Sequence, residues 1–217
     1  MINLTVHGIG EPVRPLDPGE DGTWVSVGQF ERVLDACVGR TDVRITFDDG
    51  NSSDLVHGLP MLLERGLTAE FFVLAGRLDE DGRVDADGVR ALLDAGMGVG
   101  SHGWDHVDWR RLDEDGARRE LTEAGRVLSE VCGRPVDRVA VPFGSYDRRV
   151  LRRLRRAGVR RVYTSDGGPA RPDAWLQPRT SLRRELDDAW IDDVLSGRPG
   201  PLRRTRRAAA RLVKRLR

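Results

Sequence analysis

VRITFDDG, residues 43–50, joins a short apolar run to two adjacent acids and a glycine. The run is rich in β-branched and aromatic side chains, which is typical of a buried strand, and the glycine favours a turn. In parallel α/β folds, the carboxyl ends of the strands form the functional edge of the domain. We therefore expect a strand over 43–47 that carries Asp48 and Asp49 to that edge.

Six more short apolar runs alternate with segments of helical period. Helix starts are marked by Ser26, with Gln29 three residues later, and by Asp85. Longer helical patterns cover 113–131 and 147–157. This alternation predicts a single α/β domain with a mainly parallel sheet or barrel. The six runs are 2–7, 69–75, 97–100, 138–142, 159–164 and 174–177.

The composition limits the kind of protein. With 217 residues, 39% hydrophobic and 33% charged, the chain falls in the globular range and is long enough for one sizeable core. Its two cysteines, Cys37 and Cys132, are too few for a disulfide framework, and neither has a second cysteine nearby for a metal site. The start, MINLTVHGIG, lacks the basic head, apolar segment and cleavage site of a secretory signal, so we expect a cytoplasmic protein.

The end of the chain differs in charge from the rest. Residues 201–217 contain eight Arg or Lys and no acid, and the segment SGRPGP at 196–201 is typical of a hinge. We expect a domain over 1–195 followed by a basic tail over 196–217. Apolar side chains near one helical face of the tail suit an anionic membrane surface, with a disordered, solubilising tail as the equal alternative. No nucleic-acid motif accompanies the tail, so we expect no nucleic-acid partner.

A second polar cluster follows the fourth predicted strand. SHGWDH, residues 101–106, holds His102 and His106, a spacing that serves zinc ligation. With one carboxylate of the Asp48–Asp49 pair, these histidines supply two imidazoles and a carboxylate to a single cation, which also removes the cost of desolvating adjacent acids. Zinc with an open position fits this set. Non-haem iron uses the same ligands, but on antiparallel jelly rolls, which the βαβ alternation disfavours.

A third cluster, AVPFGSYD at 140–147, ends the fifth predicted strand. Pro142 and Gly144 fix a turn there and leave a backbone N–H free to face a ligand. A plain connection between strand and helix is the alternative interpretation of this segment.

These three motifs, in this order and at these distances, resemble the first three motifs of the polysaccharide deacetylases, the NodB-like carbohydrate esterase family 4. The resemblance covers roughly residues 42 to 180. It implies a distorted (β/α)7 barrel and a metal-dependent hydrolase that removes N-acetyl groups from amino sugars.

The resemblance also implies roles for individual residues. By motif position, Asp48 is the catalytic base, and Asp49, His102 and His106 are the ligands of a divalent metal, with zinc the expected ion. This division is chemically consistent, because a carboxylate bound to a metal cannot also accept a proton. The backbone N–H at Phe143 is implied to help hold the oxyanion.

The chain departs from the family pattern at two places. The third motif of the family usually opens with an arginine that orients the base, and Ala140 occupies that position here. The late motif whose histidine acts as general acid is missing. We expect Arg179, at the last predicted strand, to orient the base, and His7, at the end of the first strand, to be the best candidate acid. His57 lies on a helical pattern and is expected at the surface.

Substrate contact is predicted for Trp104, Pro142 and Tyr146, which lie in or next to the second and third motifs. Trp104, Trp109 and Trp175 are candidates for stacking on sugar rings, although tryptophans more often pack in the core or at its edge. Which acid protonates the product amine is left open by the sequence.

The expected function is metal-dependent removal of N-acetyl groups from an amino sugar, either in a glycan or on a lipid-linked or nucleotide-linked precursor. A sugar deformylase of the same fold and a catalytically weakened glycan-binding module are the alternatives. The complete set of Asp48, Asp49, His102 and His106 favours an enzyme, since a binding module has no need for a base beside a complete ligand triad.

Overall fold

The computed structural model describes residues 1–198, 205, 209–210 and 212–214. Its main feature is a sheet of eight parallel strands that forms a nearly closed barrel. The strands are β1 Ile2–Val6, β2 Gly8–Ile9, β3 Trp24–Val25, β4 Val43–Phe47, β5 Ala69–Val73, β6 Gly98–Ser101, β7 Arg138–Ala140, β8 Arg161–Thr164, β9 Leu176–Pro178 and β10 Thr180–Ser181. The predicted α/β barrel is confirmed.

The barrel nearly closes at Arg179. The strand order is β10-β1-β4-β5-β6-β7-β8-β9, so β9 and β10 form opposite edges of the sheet although only Arg179 separates them in the chain. All seven predicted runs are strands, with small shifts at their ends. The eighth strand of the barrel, β10, has two residues and is too short to leave a sequence pattern. β2 and β3 pair separately, within and after the predicted loop over 8–23.

Helices cover the outside of the sheet. They are α1 Val27–Cys37, α2 Leu59–Glu64, α3 Ala86–Asp94, α4 Glu114–Ala117, α5 Ala124–Cys132, α6 Arg148–Arg156 and α7 Asp188–Leu195. The predicted capping box at Ser26 and Gln29 is present, and Asp85 accepts from Gly88 N–H at the start of α3. The predicted helix over 113–131 is α4 and α5, joined by a wider, π-type turn at Arg118–Glu123.

The two faces of the sheet differ in polarity. Because side chains alternate along a strand, Phe47 on β4 faces the helices, where its ring contacts Phe30 and Phe71 at centroid distances of 5.8 and 4.4 Å. The other face holds buried polar side chains that bond between neighbouring strands, such as Thr5 to Thr46 at 3.2 Å. The barrel interior therefore combines polar side chains with the rings of Phe72 and Tyr163, and the predicted site lies at its carboxyl end.

Most of the predicted basic tail over 196–217 lies outside the described residues. Lys214 is described, and its Nζ lies 2.9 Å from Gly144 O and 2.7 Å from Asp166 Oδ1. In the described part of the chain, no helix has both the length and the apolarity to cross a membrane. The domain boundary at 195 and the membrane role of the tail stay predictions.

Candidate active site

The predicted site residues sit on turns that follow the strands, and three of them have unusual backbones. Among the described residues, the non-glycine positions with positive φ are Asp49, Asp79, His106 and Phe143. Such conformations cost about 1–3 kcal/mol each and persist where the surroundings impose them. Three of the four lie in one pocket, so the fold holds this rim in a strained arrangement.

Asp49, His102 and His106 converge. Their potential ligand atoms all lie within 4.8 Å of one another, and Asp49 Oδ1 is 3.4 Å from His102 Nε2 and 3.5 Å from His106 Nε2. His102 Nδ1 lies 2.9 Å from the Ala140 carbonyl oxygen. If that nitrogen carries the proton, the carbonyl fixes the tautomer that leaves the Nε2 lone pair facing Asp49.

This donor set fits a divalent metal. Two imidazole nitrogens and one carboxylate oxygen are the ligands of open zinc sites. Asp49 Oδ1 is buried and lacks a geometrically acceptable hydrogen bond within the described chain. An orphaned buried carboxylate oxygen between two imidazoles is costly without a cation.

Electrostatics favour the ligand forms of Asp49 and His106. Burial alone would lower the pKa of His102, but Asp48 and Asp49 outweigh it and raise that pKa, so a cation that binds there displaces a proton. Burial alone would raise the pKa of Asp49, but His102 and His106 outweigh it and hold that pKa below its ordinary value. Burial lowers the pKa of His106 to about 4 despite the nearby Asp49. An ionised Asp49 and a neutral His106 at neutral pH are the states that coordinate metals.

Asp48 forms a two-point ion pair with Arg179. Arg179 Nη1 and Nη2 lie 2.6 Å from Asp48 Oδ1 and Oδ2, and the two side chains are only 0% and 2% exposed. Burial alone would raise the pKa of Asp48, but the charges of Arg179 and His102 bring it below the usual value. The pair fixes the carboxylate in its ionised form and in one orientation.

Arg179 is itself held from several sides. Its Nη1 donates to Thr46 Oγ1 at 3.1 Å, and its guanidinium carbon lies 5.4 and 5.7 Å from the ring centroids of Phe72 and Tyr163. These contacts place a planar cation beside two neighbouring aromatic rings, a favourable setting for a buried guanidinium. Arg179, which lies between the two edge strands of the barrel, is therefore also the ion-pair partner of Asp48.

His7 lies in the same pocket, at the end of β1. Its Nδ1 is buried and has no hydrogen-bond partner within the described residues. Burial lowers the pKa of His7 against the raising effect of Asp49 and Asp48. The imidazole is therefore neutral at neutral pH. His57, the other unassigned histidine, is half-buried in the turn Asp54–Gly58.

The Phe143 loop borders the pocket. Phe143 has a φ of 57°, its side chain is 65% exposed, and its ring centroid lies 4.3 Å from that of His106. Gly144 N–H and Ser145 N–H donate within the loop, whereas Phe143 N–H has no acceptor in the described part of the chain. The turn thus leaves this amide available, as the sequence predicts.

The pocket has a volume of about 290 Å³. Beyond the predicted residues, its wall includes the loop over 17–20 and the side chains of Arg83 and Arg183. This size is at the lower end of ordinary small-molecule sites and suits one sugar unit with its acyl group.

The three predicted substrate contacts do not line this pocket. Tyr146 is buried and donates to Asp166 at 2.7 Å, and Pro142 is buried beneath the loop. Trp104 lies under the guanidinium of Arg119, at 5.2 Å. Substrate contact by Trp104, Pro142 and Tyr146 remains a prediction that the pocket lining does not support.

The other two tryptophans considered for stacking, Trp109 and Trp175, are packing residues. Trp109 is buried, and its indole N–H donates to Glu120. Trp175 donates to Val159 O and carries the Arg155 guanidinium on its ring at 3.7 Å, on the outside of the barrel.

The sequence does not single out two acidic residues that are buried near the site. Glu120 accepts from the backbone N–H groups of Trp104 and Asp105, so it holds the histidine-bearing loop. In the sequence it is one acid among many on a helix, and no signal marks it. Asp54 is fully buried without a hydrogen bond to its carboxylate, and burial, then Asp49, raises its pKa well above the usual value.

Comparison with known proteins adds independent information. A family model described as polysaccharide deacetylase matches residues 35–162. A chitooligosaccharide deacetylase from Rhizobium leguminosarum bv. trifolii is 29% identical over 163 residues, which cover 74% of this chain and 69% of that protein. A chitin deacetylase from Pestalotiopsis sp is 30% identical over 114 residues, or 52% of this chain and 38% of that protein.

The fold has close structural neighbours. A crystal structure of a polysaccharide deacetylase from Bacillus cereus superposes with a TM-score of 0.77 at 20% identity, over 90% of this chain and 68% of that one. At this identity the likeness establishes the barrel fold alone. The chain spans about two thirds of the Rhizobium protein and of the Bacillus structure, and less than half of the Pestalotiopsis protein.

Proposed function

The chain belongs to the polysaccharide deacetylase family, and on that premise we propose that it is a metal-dependent hydrolase that removes the N-acetyl group from an amino sugar. One observation carries the proposal: the Asp48–Arg179 pair lies beside the Asp49, His102 and His106 cluster in a single pocket. A base and a ligand set within one small cavity are what hydrolysis of an amide requires.

Asp49, His102 and His106 would hold the metal. A divalent ion bound there supplies Lewis acidity toward the acetamide carbonyl and lowers the pKa of water. Zinc is the proposed ion, because two imidazoles with one carboxylate and an open position suit it.

Asp48 is the proposed base. Its carboxylate is ionised and immobilised, so it accepts the proton of the attacking water without first having to reorient. Arg179 is a positioning residue, since it acts on the reaction through Asp48. It takes the place of the arginine that Ala140 does not provide.

Phe143 N–H is the proposed oxyanion donor. The strained turn holds this amide at the edge of the pocket without an acceptor from the described residues. A donor that is fixed before the reaction costs no reorganisation when negative charge develops on the substrate oxygen.

His7 is the proposed route by which a proton returns to the leaving amine. Because its imidazole is neutral at neutral pH, His7 must gain a proton during turnover before it can donate one. Asp48 has just accepted a proton at that stage and lies in the same pocket. Transfer through His7 then leaves both side chains in their starting forms.

The proposed substrate is an N-acetylated amino sugar in a glycan or on a lipid-linked or nucleotide-linked precursor. The small pocket supports recognition of one sugar residue. A cytoplasmic location, with the basic tail at an anionic membrane face, would favour the linked precursors and remains a prediction. A glycan-binding module without activity would not need an ionised carboxylate that an arginine holds in one orientation, as Arg179 holds Asp48.

Amine release from N-acetylglucosamine oligomers tests the proposal. With added zinc, the wild type should release amine and acetate, and Asp48→Asn should lower the rate by about 10²–10⁴ while keeping the same circular dichroism spectrum. The N-formyl substrate, assayed in parallel, separates a deformylase from a deacetylase. Equal rates for the wild type and Asp48→Asn on every substrate would refute the proposal.

A further inference from the structure

A second cavity opens at the opposite end of the barrel, where the strands begin. It has a volume of about 400 Å³ and is lined by the first residues of β4, β5 and β6 and by inward side chains of β7 and β8. None of its lining residues belongs to the pocket that contains Asp48. The barrel thus has one cavity at each end of the strands.

Positive charge dominates this cavity. Four arginines line it, together with Glu70 as the one acidic side chain. Glu70 is already engaged, because it accepts from Arg138 Nη1 at 3.1 Å and from the Tyr163 hydroxyl at 2.9 Å. The other three arginines have no carboxylate in the lining to balance them. The four are Arg44, Arg134, Arg138 and Arg161.

The arrangement of the arginines is unfavourable without a counter-charge. Arg138 and Arg161 are direct neighbours in register on β7 and β8, where like charges repel. Arg44 Nη1 is buried and has no hydrogen-bond partner within the described chain. A buried guanidinium N–H without an acceptor carries its full desolvation cost. Arg134 is exposed at the entrance.

We propose that this cavity binds a phosphate group, either as the free ion or as part of a small phosphorylated molecule. Guanidinium forks match the oxygens of phosphate in pairs, and an acceptor of that geometry satisfies the buried Arg44 N–H. Phosphate between Arg138 and Arg161 also removes their repulsion. A cavity of 400 Å³ accommodates a small phosphate ester as well as the ion.

Calorimetric titration of the full-length protein tests the proposal, with inorganic phosphate and glucose 6-phosphate at constant ionic strength. Glucose 6-phosphate has no N-acetyl group, so it offers no bond for the proposed deacetylation. Saturable binding of either compound, and none of chloride, is expected. Tighter binding of the ester identifies a phosphorylated metabolite as the ligand, and binding of the ion alone identifies free phosphate.

Three variants locate the binding. Arg44→Gln and Arg134→Gln should each weaken phosphate binding by about tenfold or more, because each removes a charged donor. Arg126→Gln is the matched control, since Arg126 is exposed on α5 and pairs with Glu130 away from the cavity. Deacetylation by Arg134→Gln should equal that of the wild type, which shows that the exposed substitution leaves the fold intact.

Two outcomes would overturn the proposal. One is the absence of saturable binding by both compounds. The other is binding that Arg44→Gln and Arg134→Gln leave unchanged, as expected if the anion binds at the metal cluster of Asp49, His102 and His106 instead.

Discussion

The two ends of the barrel use the same kind of residue differently. At the carboxyl end, Arg179 is paired with Asp48 through two short hydrogen bonds, and both side chains are excluded from water. At the amino end, Arg138 makes one contact with Glu70 and its side chain is 50% exposed, with three further arginines nearby. An arginine paired with a carboxylate holds that carboxylate in one orientation for catalysis. Arginines without paired carboxylates attract an anion.

The difference also predicts how each end responds to mutation. Removing one member of a fully buried ion pair leaves an uncompensated charge and costs about 3–5 kcal/mol, whereas exposed pairs are worth about 0–1 kcal/mol. Substitutions at the carboxyl end should therefore change catalysis strongly, and those at the amino end should change it little.

The largest effect is expected for Arg179→Met. Without the guanidinium, Asp48 loses its orientation and its pKa rises, since burial then acts with less opposition. A base must be deprotonated to work, so the acid limb of the pH profile of kcat/KM should move to higher pH. By analogy with loss of the orienting aspartate of a serine-protease triad, kcat should fall by about 10³–10⁴.

Arg179→Lys is the matched variant, because it keeps the charge but loses the two-point contact. It should retain more activity than Arg179→Met and show a smaller shift of the acid limb. An unchanged acid limb in Arg179→Met would remove the positioning role.

A smaller effect is expected for His7→Gln. If His7 returns the proton to the amine, the substitution should lower kcat by about 10² across neutral and alkaline pH, because the resting imidazole is already neutral there and the loss does not depend on its titration. The measurement is the pH dependence of amine release. His57→Gln, at a half-buried histidine outside the pocket lining, is the control and should behave as the wild type. A kcat of His7→Gln equal to that of His57→Gln and of the wild type would exclude His7 as the acid.

Glu70→Gln tests the amino end of the barrel. The substitution leaves Arg138 without its carboxylate and weakens a charge-assisted hydrogen bond, so the free energy of unfolding should fall by about 1–2 kcal/mol. Urea unfolding measures this change, and phosphate should restore part of the lost stability by binding the folded state. Deacetylation should remain near the wild-type rate. A large loss of activity would show that the two ends of the barrel are not independent.

The smallest effect is expected for Arg138→Met. Its side chain is half exposed and makes a single ion pair, so the free energy of unfolding should change by less than about 1 kcal/mol and kcat should be unchanged. Parallel unfolding and kinetic measurements on Arg138→Met and Arg179→Met compare the two arginines directly. Equal losses of activity would contradict the distinction between the ends.

Much of the site follows from where motifs fall relative to strands. Asp48 and Asp49 follow β4, and Arg179 follows β9, so a parallel sheet brings them to one rim, as the sequence predicts. The strand pattern predicts a mainly parallel sheet or barrel, and the family resemblance implies the barrel. The positions of site residues are predictable because strand ends and short-range motifs are local features of the sequence.

The remainder depends on contacts that a local pattern does not encode. Tyr146 and Trp104 lie next to the motifs, but their orientation is set by Asp166 and Arg119, which are distant in the chain. The role of Glu120 depends on how its helix packs against the histidine loop. The arginine-rich cavity is likewise invisible in the sequence, because its charges come from separate strands and loops.

The metal content of purified, dialysed protein tests the central claim most directly. One divalent ion per chain is expected in the wild type and in Asp48→Asn, with a much lower content in His106→Gln and fast amine release by the wild type alone. Chelation should abolish that release and zinc should restore it. Equal metal content in His106→Gln and the wild type, or full activity after exhaustive chelation, would contradict the assignment of this cluster as the catalytic metal site.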